Sequence, residues 1–185
     1  MKSVISNTRR GNPGDDATKL ELLEEPLEFI KEDHMHMRAV CDQIDHIADT
    51  PLPKKIEISN VLRALSNEVP LLVKDEEEDL AALILARCTP DDEIEVTLER
   101  LHREHLILSE QLPAIRRTLE VLHDAHRRAT EQERTELRAF SHQLRQHIIV
   151  ENALLLPFAK ARLTEDDLTT LRNKMITRRI QTMVR

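Results

Sequence analysis

Residues 137–158 read LRAFSHQLRQHIIVENALLLPF, and Leu137, Phe140, Leu144, His147, Glu151, Leu154 and Phe158 follow one another at steps of three and four. Such steps lay a single stripe along a helix of about 3.6 residues per turn, so these side chains share one inward face. The stripe is apolar at both ends and polar at its centre. There His147 and Glu151 stand four apart, one above the other.

Three further stretches repeat the pattern. Leu27, Ile30, His34, Met37, Cys41, Ile44 and Ala48 form one stripe, and Ile94, Leu98, Leu101, His105, Leu108, Leu112, Ile115, Leu119 and Leu122 form another. In each, a single histidine interrupts an apolar row. The stripe Ile58, Leu62, Leu65, Val69, Leu72, Glu76 and Leu83 carries a carboxylate instead.

The ends of these helices are marked as well. Pro26 suits a first helical turn and Thr50-Pro51-Leu52-Pro53 stops the run, which predicts a first helix over 26–49. A second is expected over 55–87, kinked at Pro70, where one backbone hydrogen bond is missing. Thr89-Pro90-Asp91-Asp92 reads as an N-cap, a proline in the first position and acids in the first turn, so a third helix is placed from there to about His126, bent at Pro113. Thr130 and Glu133 form a capping box that opens a fourth helix reaching Arg162. Thr164 and Asp167 repeat the device for a short terminal helix ending near Arg179. Residues 1–18 carry Asn, Gly, Pro and Asp with no apolar period and read as a flexible tail. Connections of only a few residues force neighbouring helices to run in opposite directions. The expectation is an all-α, antiparallel, up-down-up-down four-helix bundle over 19–163 and a C-terminal helix within 164–185.

Composition points the same way. With 185 residues, two glycines and no Trp or Tyr, the chain suits one helical domain and lacks most of the aromatic residues that sheets favour. Its net charge of −7 comes from carboxylates interspersed with arginines, so there is no basic stripe to track a nucleic-acid backbone. No segment approaches the ~20 uncharged apolar residues that span a bilayer, and the first ten residues lack an apolar signal core. A soluble, cytoplasmic protein is expected, with neither nucleic acid nor membrane as partner. Cys41 and Cys88 have no disulfide-framework or CxxC spacing and read as small buried hydrophobes.

The polar residues of the four stripes fall in one layer once helix ends are allowed to shift by several residues. Counted from a shared end at ~1.5 Å per residue, His34 lies about 12 Å in, Glu76 about 16 Å, His105 about 21 Å and the His147/Glu151 pair about 17 to 23 Å. Five such groups buried without partners would cost roughly several kcal/mol each. A shared cation satisfies them together, and mixed nitrogen and oxygen donors in a helical core favour iron or manganese, with zinc less suited. Taken singly, a stripe histidine also fits a hydrogen-bonded core residue, and His147 with Glu151 fits an ordinary ion pair. The run Asp75-Glu76-Glu77-Glu78-Asp79 reads as a solvated face in which only Glu76 has the inward phase. His36, His46, His123, His126 and His142 fall outside that phase and read as surface residues.

These residues resemble the hemerythrin-like, HHE cation-binding family over about residues 24–162. The resemblance is carried by Glu32-Asp33-His34, by Glu68-Val69-Pro70 through Asp75-Glu76-Glu77-Glu78-Asp79-Leu80, by Arg103-Glu104-His105, and by His147-Ile148-Ile149-Val150-Glu151-Asn152 through Leu156-Pro157. In that family the histidines of helices one, three and four ligate two irons, bridged by carboxylates of helices two and four. The resemblance therefore implies His34, Glu76, His105, His147 and Glu151 as ligands. The family also has a histidine four residues before the helix-two carboxylate, where this chain has Leu72. The implied site is lopsided: the iron near His105 and His147 keeps its imidazoles, while the one near His34 loses one and is weakened or vacant. His102 or Glu77 can turn towards that gap, and His102 also fits an exposed position.

The implied function is that of a non-haem iron protein, di-iron or mononuclear, that meets dioxygen, peroxide or nitric oxide in sensing, storage or detoxification. Manganese and zinc stay open as alternatives. Met37, Leu72, Leu101, Leu108 and Leu144 are the candidate walls of a dry ligand pocket. The alternative is a degenerate relative with one metal or none, a regulatory or partner-binding helical module acting through Arg172, Lys174, Arg178 and Arg179. No Ser/His/Asp or Cys/His nucleophile arrangement is visible, so a metal- or oxygen-binding protein is expected more than a dedicated enzyme. A protein partner or a homodimer stays open.

Overall fold

The computed structural model describes residues 17–183, and they are helical with no strand. The expected N-terminal tail lies outside the described residues, apart from Ala17 and Thr18. After a 3-10 turn, Leu20–Glu24, come α1 (Pro26–Asp49), α2 (residues 55–87), α3 (Ile94–Ala125), α4 (residues 131–162) and α5 (Glu165–Met183). No helix among them is long and apolar enough to cross a membrane.

The helices pack as a bundle around one apolar interior. α1 lies along α4: Asp49 pairs with Arg138 at one end, and His34 Nδ1 is 3.0 Å from Asn152 Oδ1 at the other. α3 packs on both α4 and the first half of α2, and Gln111 donates to Gln143 at 3.2 Å across the α3–α4 seam. Ile30, Met37, Ile44, Leu65, Leu119, Leu122 and Leu137 are fully buried where the stripes meet. Burying such side chains stabilises the fold by roughly 1.5–3 kcal/mol each.

Three π-helical turns, Ala64–Glu68, Asp75–Leu80 and Glu151–Leu155, interrupt α2 and α4. Two of them end just before Pro70 and Pro157. A wide turn there makes room for the proline ring, which would otherwise collide with a carbonyl of the preceding turn. Each π turn inserts one residue into the helical repeat, so the inward face shifts by one position beyond it. This corrects two expectations. Leu155 and Ile84 are buried, whereas Leu154 is half exposed and Leu83 only partly covered.

Other boundaries differ as well. Thr89 and Asp92 do form a capping box, the Thr89 N–H donating to Asp92 Oδ2 at 2.7 Å, but it closes a separate 3-10 turn, Pro90–Asp92. Glu93 then takes a left-handed φ of 50°, so α3 begins at Ile94 instead of Pro90. α3 continues through Pro113 and ends at His126, also left-handed. Thr130 accepts from the Glu133 N–H at 3.3 Å and caps α4 as the spacing predicts. The terminal helix is not short: α5 has 19 residues and packs on α1, on the Leu20–Glu24 turn and on residues 75–80. Cys41 is buried and its thiol is pushed up to about 12 by burial, but Cys88 is only half-buried, beside the carbonyl of Leu85.

Candidate metal centre

The polar residues at the middle of the four stripes meet. Glu76, His105, His147 and Glu151 each offer one ligand atom, these atoms lie within 4.8 Å of one another, and all four residues are buried. His34 completes the set: its Nε2 is 2.6 Å from Glu76 Oε1 and 3.3 Å from Glu151 Oε2. On the other side, His105 Nε2 is 3.4 Å from Glu76 Oε2, and His147 Nε2 is 3.1 Å from Glu151 Oε1. Each carboxylate therefore directs one oxygen at His34 and the other at the His105/His147 pair. Donor atoms held this close could share a cation, whose charge would offset their own.

The outward nitrogens fix how the inward ones are presented. His34 Nδ1 donates to Asn152 Oδ1 at 3.0 Å, His105 Nδ1 to Glu77 Oε1 at 2.9 Å, and His147 Nδ1 to Glu104 Oε2 at 2.9 Å. An ionised carboxylate can only accept, so Nδ1 of His105 and of His147 carries the proton. In the neutral ring that leaves the Nε2 lone pair facing inward. The Nε2 atoms of His105 and His147 lie only 2.7 Å apart. Two lone pairs at that distance repel unless a proton or another cation sits with them. Glu151 Oε1, buried at the same point, makes no hydrogen bond. Three convergent nitrogens and four carboxylate oxygens, one of them an orphaned acceptor, fit a metal ion of the kind that takes mixed N/O donors.

Protonation responds to the same charges. Burial alone would lower His34 and His105, but hydrogen bonds to Glu76 and the Glu76 and Glu151 charges outweigh it and raise both to about 9. His147 is also raised: burial, the largest effect, opposes it, and the nearby Glu151 carboxylate, with Glu76, prevails. Burial pushes Glu76 upward, and contacts with His105 and His34 overcome this to hold it at about 2. The two buried carboxylates thus draw positive charge inward, as protons when no cation is present.

Beside this cluster is an apolar cavity of about 30 Å³, bounded by Met37, Leu72, Leu108, Phe140, Leu144 and the His105/His147 side of the centre. On that measure about 10–15 Å³ already admits one water, so a diatomic molecule fits. Leu101 is buried but is not part of this wall.

Several residues lie elsewhere than expected. His36 is buried, not on the surface, with Nε2 2.6 Å from Glu68 Oε2. α1 is covered by α2 and α5 as well as by the central seam, so its buried arc is wider than one stripe. His46, His126 and His142 are exposed and His123 is partly so. In the acidic run Glu78 is exposed and Glu77 partly so, but Asp75 and Asp79 are buried. His102 stays largely exposed and shares Glu77 with His105 from outside. Sequence reasoning gave no role to Asn152, Glu104 or Glu77 as acceptors behind the histidines. The signal available was that each inward imidazole needs an acceptor for its outer N–H.

Fold and site together define a helical-bundle protein with a buried histidine–carboxylate centre able to hold a metal ion. The hemerythrin HHE cation binding domain matches residues 25–159, and the chain belongs to that family. No curated protein matches the chain.

Proposed function

We propose that His34, Glu76, His105, His147 and Glu151 would hold iron, one ion or two, within an antiparallel up-down-up-down bundle of residues 19–163. The observation that carries this reading is the buried cluster of His105, His147, Glu76 and Glu151, with His34 Nε2 on the other oxygens of the same two carboxylates and the outer nitrogens already engaged. The opposed ends of α1 and α4, joined by Asp49–Arg138 and His34–Asn152, support the antiparallel arrangement. Bound iron supplies an open coordination position and exchangeable electrons. The residues supply the rest: Glu77, Glu104 and Asn152 orient the imidazoles, and the apolar wall leaves room for dioxygen, peroxide or nitric oxide.

The occupancy of the two positions is unequal in this reading. His105 and His147 share one side, while His34 is alone on the other, and Leu72 offers no donor. The alternative, a regulatory helical module with one metal or none, draws on Leu72. It needs the basic residues of α5 as a docking surface, but Arg172 pairs with Glu24, Lys174 with Asp79, Arg178 with Asp75 and Asp79, and Arg179 with Asp75.

Metal analysis of protein purified without oxygen, together with its absorption spectrum before and after exposure to dioxygen or nitric oxide, tests the proposal. Two irons per chain with a ligand-dependent spectrum is the expected result, and one iron marks the weakened His34 position. Protein that takes up no iron, manganese or zinc refutes it.

A further inference from the structure

α5 lies wholly beyond the residues matched by the family, yet it grips the turn that carries Glu76. Asp75, Glu76, Glu77, Glu78 and Asp79 are consecutive carboxylates in and around one π turn, Asp75–Leu80. Glu76 faces the centre. Asp75 and Asp79 are buried on the opposite side, against α5. Arg178 bonds Asp75, and its Nη2 lies 2.6 Å from Asp79 Oδ2 and 3.2 Å from Glu78 Oε2. Arg179 Nη2 donates to Asp75 Oδ2 at 2.7 Å, and Lys174 Nζ is 3.3 Å from Asp79 Oδ1. Arg179 is itself fixed: it donates to the Met175 carbonyl at 3.1 Å, and its guanidinium lies 4.5 Å from the centre of the Phe29 ring.

Without these cations the turn is poorly determined. Like charges a helical turn apart repel, and the π turn's wide hydrogen bonding persists only where its surroundings impose it. A small displacement of residue 76 would uncouple its two oxygens from His34 and His105, which lie on opposite sides of it.

We propose that Arg178 and Arg179 are positioning residues for the metal centre: by pairing with Asp75 and Asp79 from outside, they hold the turn that presents Glu76 to His34 and His105. The proposal rests on Glu76 being a ligand. It makes affinity for metal depend on a helix that contributes no ligand.

The test compares wild type, Arg178→Ala, Arg179→Ala and, as a control on α5, Arg172→Ala, which loses the pair with Glu24 nearer the start of the helix and touches none of the carboxylates of 75–79. Cobalt(II) is titrated without oxygen and followed by its visible absorption, with helix content checked by circular dichroism. Arg178→Ala and Arg179→Ala should weaken cobalt binding by about tenfold or more at unchanged helix content, the usual effect of losing an outer-layer support, while Arg172→Ala should not. Because Arg179 is buried beside Phe29 and its loss can unfold the chain, the half-buried Arg178 is the deciding position. A second readout needs no metal: amide hydrogen exchange at 76–80 should quicken in Arg178→Ala and not in Arg172→Ala. A folded Arg178→Ala protein with wild-type cobalt affinity, or with wild-type exchange at 76–80, overturns the proposal while leaving the metal reading intact. Failure of the wild type to bind cobalt, iron, manganese or zinc overturns both.

Discussion

At the scale of single residues, the two nitrogens of each central histidine have different partners, and the outer contact governs the inner one. Glu104 is the plainest case, since it holds the Nδ1 proton of His147 at 2.9 Å while lying outside the ligand cluster. Glu104→Ala should leave the chain folded and lower metal affinity by roughly 10–100-fold, measured by competition with a chelator. Retention of wild-type affinity would show that the tautomer is set by something else. Leu72 tests the same centre by addition. It lies four residues before Glu76 in the cavity wall, so Leu72→His brings a donor within reach of the cluster and should raise iron content per chain. Unchanged content would remove the argument that Leu72 leaves the centre short of a ligand.

At the scale of elements, the π turns decide which residues face the core. A regular helix would carry the stripe from Glu151 to Leu154, and the turn Glu151–Leu155 carries it to Leu155 instead. The two leucines therefore make a matched pair of probes. Leu155→Ala should cost about 2–5 kcal/mol in a denaturant unfolding experiment, whereas Leu154→Ala should stay within about 0.5 kcal/mol of wild type. The reverse ranking would mean that α4 is an unbroken α-helix. The same shift lies at Asp75–Leu80, so both carboxylate-bearing segments of the centre begin within a wide turn. Widened turns recur where side chains must be aimed off the regular helical face.

At the scale of the whole molecule, stability and metal uptake should depend on pH through the same groups. In the metal-free protein His34 and His105 are raised from 6.5 to about 9 because Glu76 and Glu151 outweigh the opposing effect of burial. Their contribution to stability is complete below pH 6.5 and is lost as pH rises through about 9. Glu76, lowered from 4.5 to about 2 as His105 and His34 overcome its burial, contributes above pH 4.5 and ceases to contribute as pH falls through about 2. The thermal midpoint of chelator-treated protein should therefore fall between pH 6.5 and 9 in calorimetry, and by much less once metal replaces the protons. A metal-free midpoint that is flat over that range would show that the histidines are not held protonated.

The sequence by itself determined the helical class and the main stripes, because a three-and-four repeat and a capping box such as Thr130–Glu133 depend on neighbours along the chain, and the motif residues around His34, Glu76, His105 and His147 carried the resemblance to the family. It also placed His34, Glu76, His105, His147 and Glu151 at one level, since rise per residue is constant along a helix. Only the tertiary structure decided the burial of His36, Asp75 and Asp79, the exchange of Leu154 for Leu155, and the acceptors behind each imidazole. Those outcomes depend on what lies across a helix interface and on one-residue insertions in the helical repeat. A periodic reading of one chain segment contains neither.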